Sequence, residues 1–191
     1  DKCKAVVLDD IQRAPALLDV AHHLMESSTG RHIQFIMSGS SARKLKRSKA
    51  NLLGGRAWSL ELFPLTHEEL GKDFSLEKAL AFGTLPKIYA SQGNDAEEGL
   101  RAYVETYLTE EIKAEALTRN LGEFIRFLPM AAAESGHIVN ASNIGREVGV
   151  SYKTVQEYFQ ILEDTLLGFW LEPYAKSPRK RMVKHPKFYF F

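Results

Sequence analysis

Cysteine is almost absent: Cys3 is the single thiol in 191 residues, so no intramolecular disulfide can form. With no cysteine or histidine near it at ligand spacing, a structural zinc site is also left out, and a reducing compartment suits the chain. No apolar run approaches the roughly 20 residues that cross a bilayer. The opening DKCKAVVLDD lacks the layout of a signal peptide. A cytoplasmic protein with no membrane partner is the expectation. An excess of one charge is missing too, since 25 Lys and Arg stand against 24 Asp and Glu, so an argument for nucleic acid has to come from local patches. Also lacking is G-x-x-x-x-G-K-[ST], the loop whose backbone N–H groups cradle nucleotide phosphates. There is no internal repeat and no low-complexity segment.

What is present begins with AVVLDDIQR, Ala5 to Arg13, an apolar run ending in two adjacent carboxylates. Such a run reads as a fully buried parallel strand that delivers Asp9 and Asp10 to its carboxyl end, where ligands of open α/β sheets bind. Pro15 suits a first helical turn, Leu17, Leu18, Ala21, Leu24 and Met25 recur at helical spacing, and Gly30 closes that helix. Ile33 to Met37 (IQFIM) is a second short buried strand, completing a βαβ unit with a right-handed crossover. Asn51 to Leu65 turns through Gly54 and Gly55 into a third strand over Ala57 to Leu62. A chain that starts and stops inside apolar strands, the last being KFYFF, reads as a fragment of something longer.

From Thr66 onward the pattern is mainly helical. Thr66 and Glu69 have capping-box spacing, Ser75 caps Leu76 to Phe82, Gly83 ends that helix, and Pro86 marks a loop. A long helix is predicted from about Asp95 to Ala116, with Leu100, Tyr103, Val104, Tyr107, Leu108 and Ile112 on one face and an acidic opposite face. Leu121 to Glu134 is another helix, with a kink or break predicted at Pro129.

The paired acids have the arrangement of a Walker B element. In that reading Asp9 helps hold Mg²⁺ through a water, and Asp10 polarises the water that attacks the γ-phosphate. In the other reading the two acids simply cap the next helix. Ser38, in the IMSGSS segment, stands at the tip of the neighbouring strand, where it senses the γ-phosphate or belongs to an ordinary turn. Arg56 follows Gly54 and Gly55 and can be projected toward phosphates of its own or a neighbouring subunit, or be one more surface arginine.

These elements, in this order, resemble the bacterial and archaeal AAA-type predicted ATPases that carry a C-terminal domain of unknown function. The resemblance is carried by LDDIQR at Leu8 to Arg13, SGSSARKL at Ser38 to Leu45 and GGRAWSLELFPLTHEEL at Gly54 to Leu70. FGTLPKIY at Phe82 to Tyr89, YVETYLTEEI at Tyr103 to Ile112, the Asn143 to Gly168 stretch and VKHPKFYFF at Val183 to Phe191 extend it over nearly the whole chain. It implies a P-loop ATP-binding domain, then a helical region with a winged helix. The fold class expected is therefore α/β followed by mainly α, a partial P-loop-type parallel sheet joined to a helical region and a winged helix-turn-helix. The expected division is 1–70 for the nucleotide-binding part, 71–135 for a helical lid or linker, and 136–191 for the winged helix and the start of the C-terminal domain. ATP and Mg²⁺ are the implied cofactors of the full-length protein, and without the phosphate loop this chain holds neither well. The family usually has Glu where Asp10 stands, one methylene longer.

Asn140 to Asp164 can be read on its own residues as a helix-turn-helix. Asn140 caps a short helix, Ile144 and Val148 supply its apolar face, Gly149 makes the turn, and Ser151 caps a second helix whose Val155, Phe159 and Ile161 or Leu162 point inward. Leu166 to Tyr174 and Met182 to Phe191 follow as two wing strands. Their connection is basic, and Lys176, Arg179, Lys180 and Arg181 suit phosphates, while Lys153, Thr154 and Gln156 on the second helix suit phosphates or base edges. Against this, Glu157, Glu163 and Asp164 share that helix and repel phosphate, as an interaction module would. Duplex DNA and a second copy of the chain are the partners considered. Two functions stay open: an ATP-driven enzyme whose winged helix positions it, and a DNA-binding or protein-interaction regulator whose α/β part serves assembly only. The resemblance implies a third, less favoured option, a nuclease, because the C-terminal region of that family is suspected of that chemistry.

Overall fold

The computed structural model describes residues 5–28, 30, 32–39, 58–108, 112–113, 120–174 and 186–191. The chain divides into two compact units, Asp1–Glu61 and Leu62–Phe191.

In the first unit, β1 (Ala5–Leu8) pairs in parallel with β2 (Gln34–Met37), with Val6 opposite Phe35 and Leu8 opposite Met37. A parallel pair needs a crossover, and α1 (Ala16–Glu26) supplies it. The apolar residues buried here are Ile11, Leu18 and Ala21. The strands themselves are not fully buried as the sequence predicts. Val6, Leu8, Phe35 and Met37 are half-buried, whereas Val7 and Ile36, on the opposite face, are 67% and 48% exposed. One face of the described sheet is covered and the other is open. The third predicted strand is also corrected: Ala57 lies outside the described residues, and Trp58 to Leu62 form no strand. Trp58, Leu60 and Leu62 alternate as a strand would but are about nine-tenths exposed, because a strand needs a hydrogen-bonding neighbour and none of the described residues provides one.

The second unit opens with α2 (His67–Leu70), whose capping box forms as read: the Glu69 N–H donates to Thr66 Oγ1 at 3.2 Å, and the Thr66 N–H donates to Glu69 Oε2 at 2.8 Å. The Thr66 N–H bond, and after it a second from the Thr66 hydroxyl to Glu69 Oε2 at 3.1 Å, hold the Glu69 carboxyl below its ordinary value. A carboxylate with a depressed folded value supports its structure above the unfolded value and loses that support as pH falls through the folded one. The carboxyl carbon of Glu69 should therefore titrate below that of an unpaired glutamate by NMR, and Thr66→Ala should reduce the difference without abolishing it, because the backbone N–H at position 66, the larger cause, remains.

Ser75 caps α3 (Leu76–Phe82) by accepting from the Lys78 N–H. Pro86 does not mark a loop: it occupies the first turn of α4 (Pro86–Ala90), where its missing N–H costs nothing. The long predicted helix starts as α5 (Asn94–Ala102) and widens into π-helix at Tyr103–Leu108. Its remainder to Ala116 falls largely outside the described residues. Of the kink or break predicted at Pro129, the break does not occur, since α6 (Leu121–Ala133) runs through it. Proline deprives the Ile125 carbonyl of its usual donor.

Next come α7 (Ala141–Val148) and α8 (Tyr152–Asp164), separated by three residues. Asn140 and Ser151 cap them through their side chains, and Gly149, at φ 82°, takes the left-handed conformation that the turn requires. Gly145 is fixed for a different reason. A Cβ there would lie 2.6 Å from the Val150 carbonyl oxygen, so backbone would have to move. Gly145→Ala should cost about 1–3 kcal/mol in chemical denaturation.

The antiparallel pair β3 (Gly168–Leu171) and β4 (Lys187–Phe190) follows, with Trp170 opposite Phe188. These strands fall within the two apolar runs predicted as strands, Leu166 to Tyr174 and Met182 to Phe191, and 175–185 lie outside the described residues. On its other edge β4 meets Gly136 to Val139, through Gly136 N–H to Phe188 O at 2.7 Å and Val139 N–H to Pro186 O at 3.2 Å. The core of this unit is aromatic: Phe124, Phe127, Phe159 and Phe188 are each at most 1% exposed, joined by Val155, Ile161 and Leu162 from α8. Among the described residues no helix is long and apolar enough to cross a membrane.

Candidate functional site

The carboxyl ends of β1 and β2 bring two side chains together. Because Leu8 pairs with Met37, the next residues, Asp9 and Ser38, leave the sheet in step. The ladder continues one residue further through Ser38 N–H to Leu8 O at 2.9 Å, and Ile11 N–H then donates to Ser38 O at 3.0 Å. Buried Ile11, 2% exposed, anchors the turn after β1, so the strand ends are tied at backbone level. On this frame Ser38 Oγ donates to Asp9 Oδ1. Both side chains are exposed.

Asp10 sits at φ 52° and ψ 43°, the left-handed region that aspartate visits at modest cost. It precedes a single 3₁₀ turn, Ile11–Arg13, without a capping bond from its side chain. The capping alternative for the acid pair therefore does not describe Asp10. Its carboxylate lies 3.7 Å from Arg13 Nη1 in an exposed pair, and such pairs contribute at most about 1 kcal/mol. Arg13 was not singled out in the sequence, although its i+3 spacing from Asp10 was visible there.

The oxygen donors suit a hard cation. Among the described residues no group of three or more His, Cys, Asp or Glu could encase a metal. One exposed carboxylate beside a hydroxyl instead fits Mg²⁺, which keeps most of its waters and is commonly held by one or two carboxylates with substrate phosphates. Arg56, the third candidate of this group, lies outside the described residues.

The second group of candidates is on α8. Lys153 and Gln156 are exposed, Lys153 on the side of the helix away from the buried Val155, Phe159 and Leu162, and Gln156 on its flank. Thr154 is half-buried, and its hydroxyl shares a 2.8 Å hydrogen bond with Ser151. Lys176, Arg179, Lys180 and Arg181 lie outside the described residues.

Comparison with known proteins follows the same division. Residues 73–191, well over half of the chain, match the family described as Domain of unknown function (DUF8612). The chain belongs to that family. Residues 1–71 match an AAA domain, which supports an AAA-type P-loop assignment for this part. Uncharacterized proteins of Mycobacterium bovis and Mycobacterium tuberculosis are each 24% identical to it over 184 residues, 96% of this chain and 42% of theirs. The chain thus spans about two-fifths of the length of these relatives. No solved structure matches it.

Proposed function

We propose that this chain is part of an AAA-type ATPase that couples ATP binding and hydrolysis to a winged-helix module. The observation that carries the reading is the Ser38 to Asp9 hydrogen bond at the carboxyl ends of adjacent parallel strands, within the stretch that matches an AAA domain. In the proposed site Asp9 would help hold Mg²⁺ through a water, and Ser38, which holds the Asp9 carboxylate, would sense the γ-phosphate. Asp10 accepts a hydrogen bond from the attacking water, and Arg56 offsets charge that develops on the phosphates. The metal, when bound, supplies charge neutralisation on the phosphate oxygens. Residues 1–70 form the nucleotide part, 71–135 the helical linker, and 136–191 the winged helix. The three-residue turn with Gly149 and Ser151, and the β3–β4 pair after α8, support the last of these.

The sequence here lacks a phosphate loop, so backbone amides that normally make most of the phosphate contacts are missing from it. Calorimetric titration of this chain with ATP and Mg²⁺ should accordingly show no micromolar binding, while the full-length protein should bind ATP and hydrolyse it. A full-length protein that binds no nucleotide would favour the regulator, with the α/β part serving assembly.

A further inference from the structure

A groove of about 1040 Å³ runs along the outer side of α8, between the segment leading into α7 and the end of β3. Its apolar lining includes Ile138, Tyr152 and Trp170. Ile138 and Tyr152 are 60% and 50% exposed, whereas the Trp170 ring packs on Phe159 at 5.0 Å and is held by the core. Gln156 presents an amide that both donates and accepts, as a peptide backbone does. The charges are all of one sign: Glu163 and Glu172 line the groove, and no Lys, Arg or His is among the described residues that do. The Gln160 amide donates to Glu163 Oε2 at 3.0 Å and to Asp164 Oδ1 at 3.1 Å, which fixes the Glu163 carboxylate in place. On α8 as a whole Lys153 is the single cation against Glu157, Glu163 and Asp164.

We propose that this groove docks an extended, lysine- or arginine-bearing segment of another protein. An apolar side chain of the segment sits among Ile138, Tyr152 and Trp170, its cations pair with Glu163 and Glu172, and its backbone meets Gln156. A phosphate backbone laid along the same face would bring its charges beside two carboxylates, and none of the described residues that line the groove is a cation, so a basic protein segment fits this lining better than a nucleic acid does.

Trp170 gives a direct readout, because the sequence holds two tryptophans and the other, Trp58, is 94% exposed. In a Trp58→Phe background, a synthetic decapeptide of alternating Lys and Leu should change Trp170 emission saturably. Combining Glu163→Gln with Glu172→Gln should weaken that binding at least about tenfold, and Tyr152→Ala alone should weaken it as well. A peptide of alternating Glu and Leu should leave the emission unchanged. The proposal is overturned by a Lys-Leu peptide that gives no saturable change, by equal binding of the Glu-Leu peptide, or by binding that both glutamine substitutions leave intact. It is overturned equally if duplex DNA shifts Trp170 emission with a steep salt dependence that Lys153→Ala flattens.

Discussion

Asp10→Asn in the full-length protein is expected to lower ATP turnover by about a hundredfold or more while ATP still binds. The magnitude is that of removing a positioned proton acceptor. Asparagine keeps the shape of the side chain and its tolerance of the left-handed backbone at φ 52°, so the turn between β1 and the 3₁₀ turn should survive. Only the charge goes. The competing role for Asp10 is its exposed contact with Arg13, whose loss would cost at most about 1 kcal/mol of stability and nothing in turnover. Single-turnover hydrolysis beside a nucleotide-binding assay separates the two, and unchanged turnover in the Asn variant would refute the catalytic role. Asp10→Glu sharpens the test. If the carboxylate meets the attacking water, the longer side chain should keep turnover, whereas a structural aspartate gains nothing from it.

The parts of this fold that were legible in the sequence are those decided by a few adjacent residues. Thr66 with Glu69, Ser75, Asn140, Gly149 and Ser151 each satisfy or redirect backbone groups within one turn, so their effect does not depend on distant chain. The juxtaposition of Asp9 and Ser38 was legible for a related reason, since two apolar runs joined by one helix leave little choice of neighbour. What failed depended on context. Trp58 to Leu62 has the alternation of a strand, yet alternation names a face and not a partner. Pro86 reads as a loop marker because a sequence does not say whether the missing N–H falls in the first turn of a helix, and of the kink or break expected at Pro129 the break does not occur. The π-helical Tyr103–Leu108 has no local signature that sets it apart from the amphipathic pattern on either side. The groove on α8 was invisible for a further reason: its acids, Glu163 and Glu172, come from different elements, and only the packing of β3 on α8 brings them to one surface.

Phe159→Ala should be the most damaging single truncation in the Leu62–Phe191 unit. Its ring is 1% exposed and meets three others, edge-on with Phe127 at 4.9 Å and tilted against Trp170 at 5.0 Å and Phe188 at 4.9 Å. These partners come from α6, β3 and β4, so one side chain on α8 ties the helices to the strand pair. Truncation removes the transfer free energy of the ring and leaves a cavity that three elements would have to close together. The expected cost is about 3–5 kcal/mol, a large part of the roughly 5–15 kcal/mol that holds a domain folded. The unfolding midpoint should fall by roughly 10–20 °C. Gln160→Ala, the exposed next residue, is the control, and as a surface change it should stay within about 0.5 kcal/mol. Phe159→Leu should recover more than half of the loss by refilling most of the volume. Equal midpoints for the Phe159 and Gln160 variants in differential scanning calorimetry would mean that the aromatic cluster does not hold this unit together.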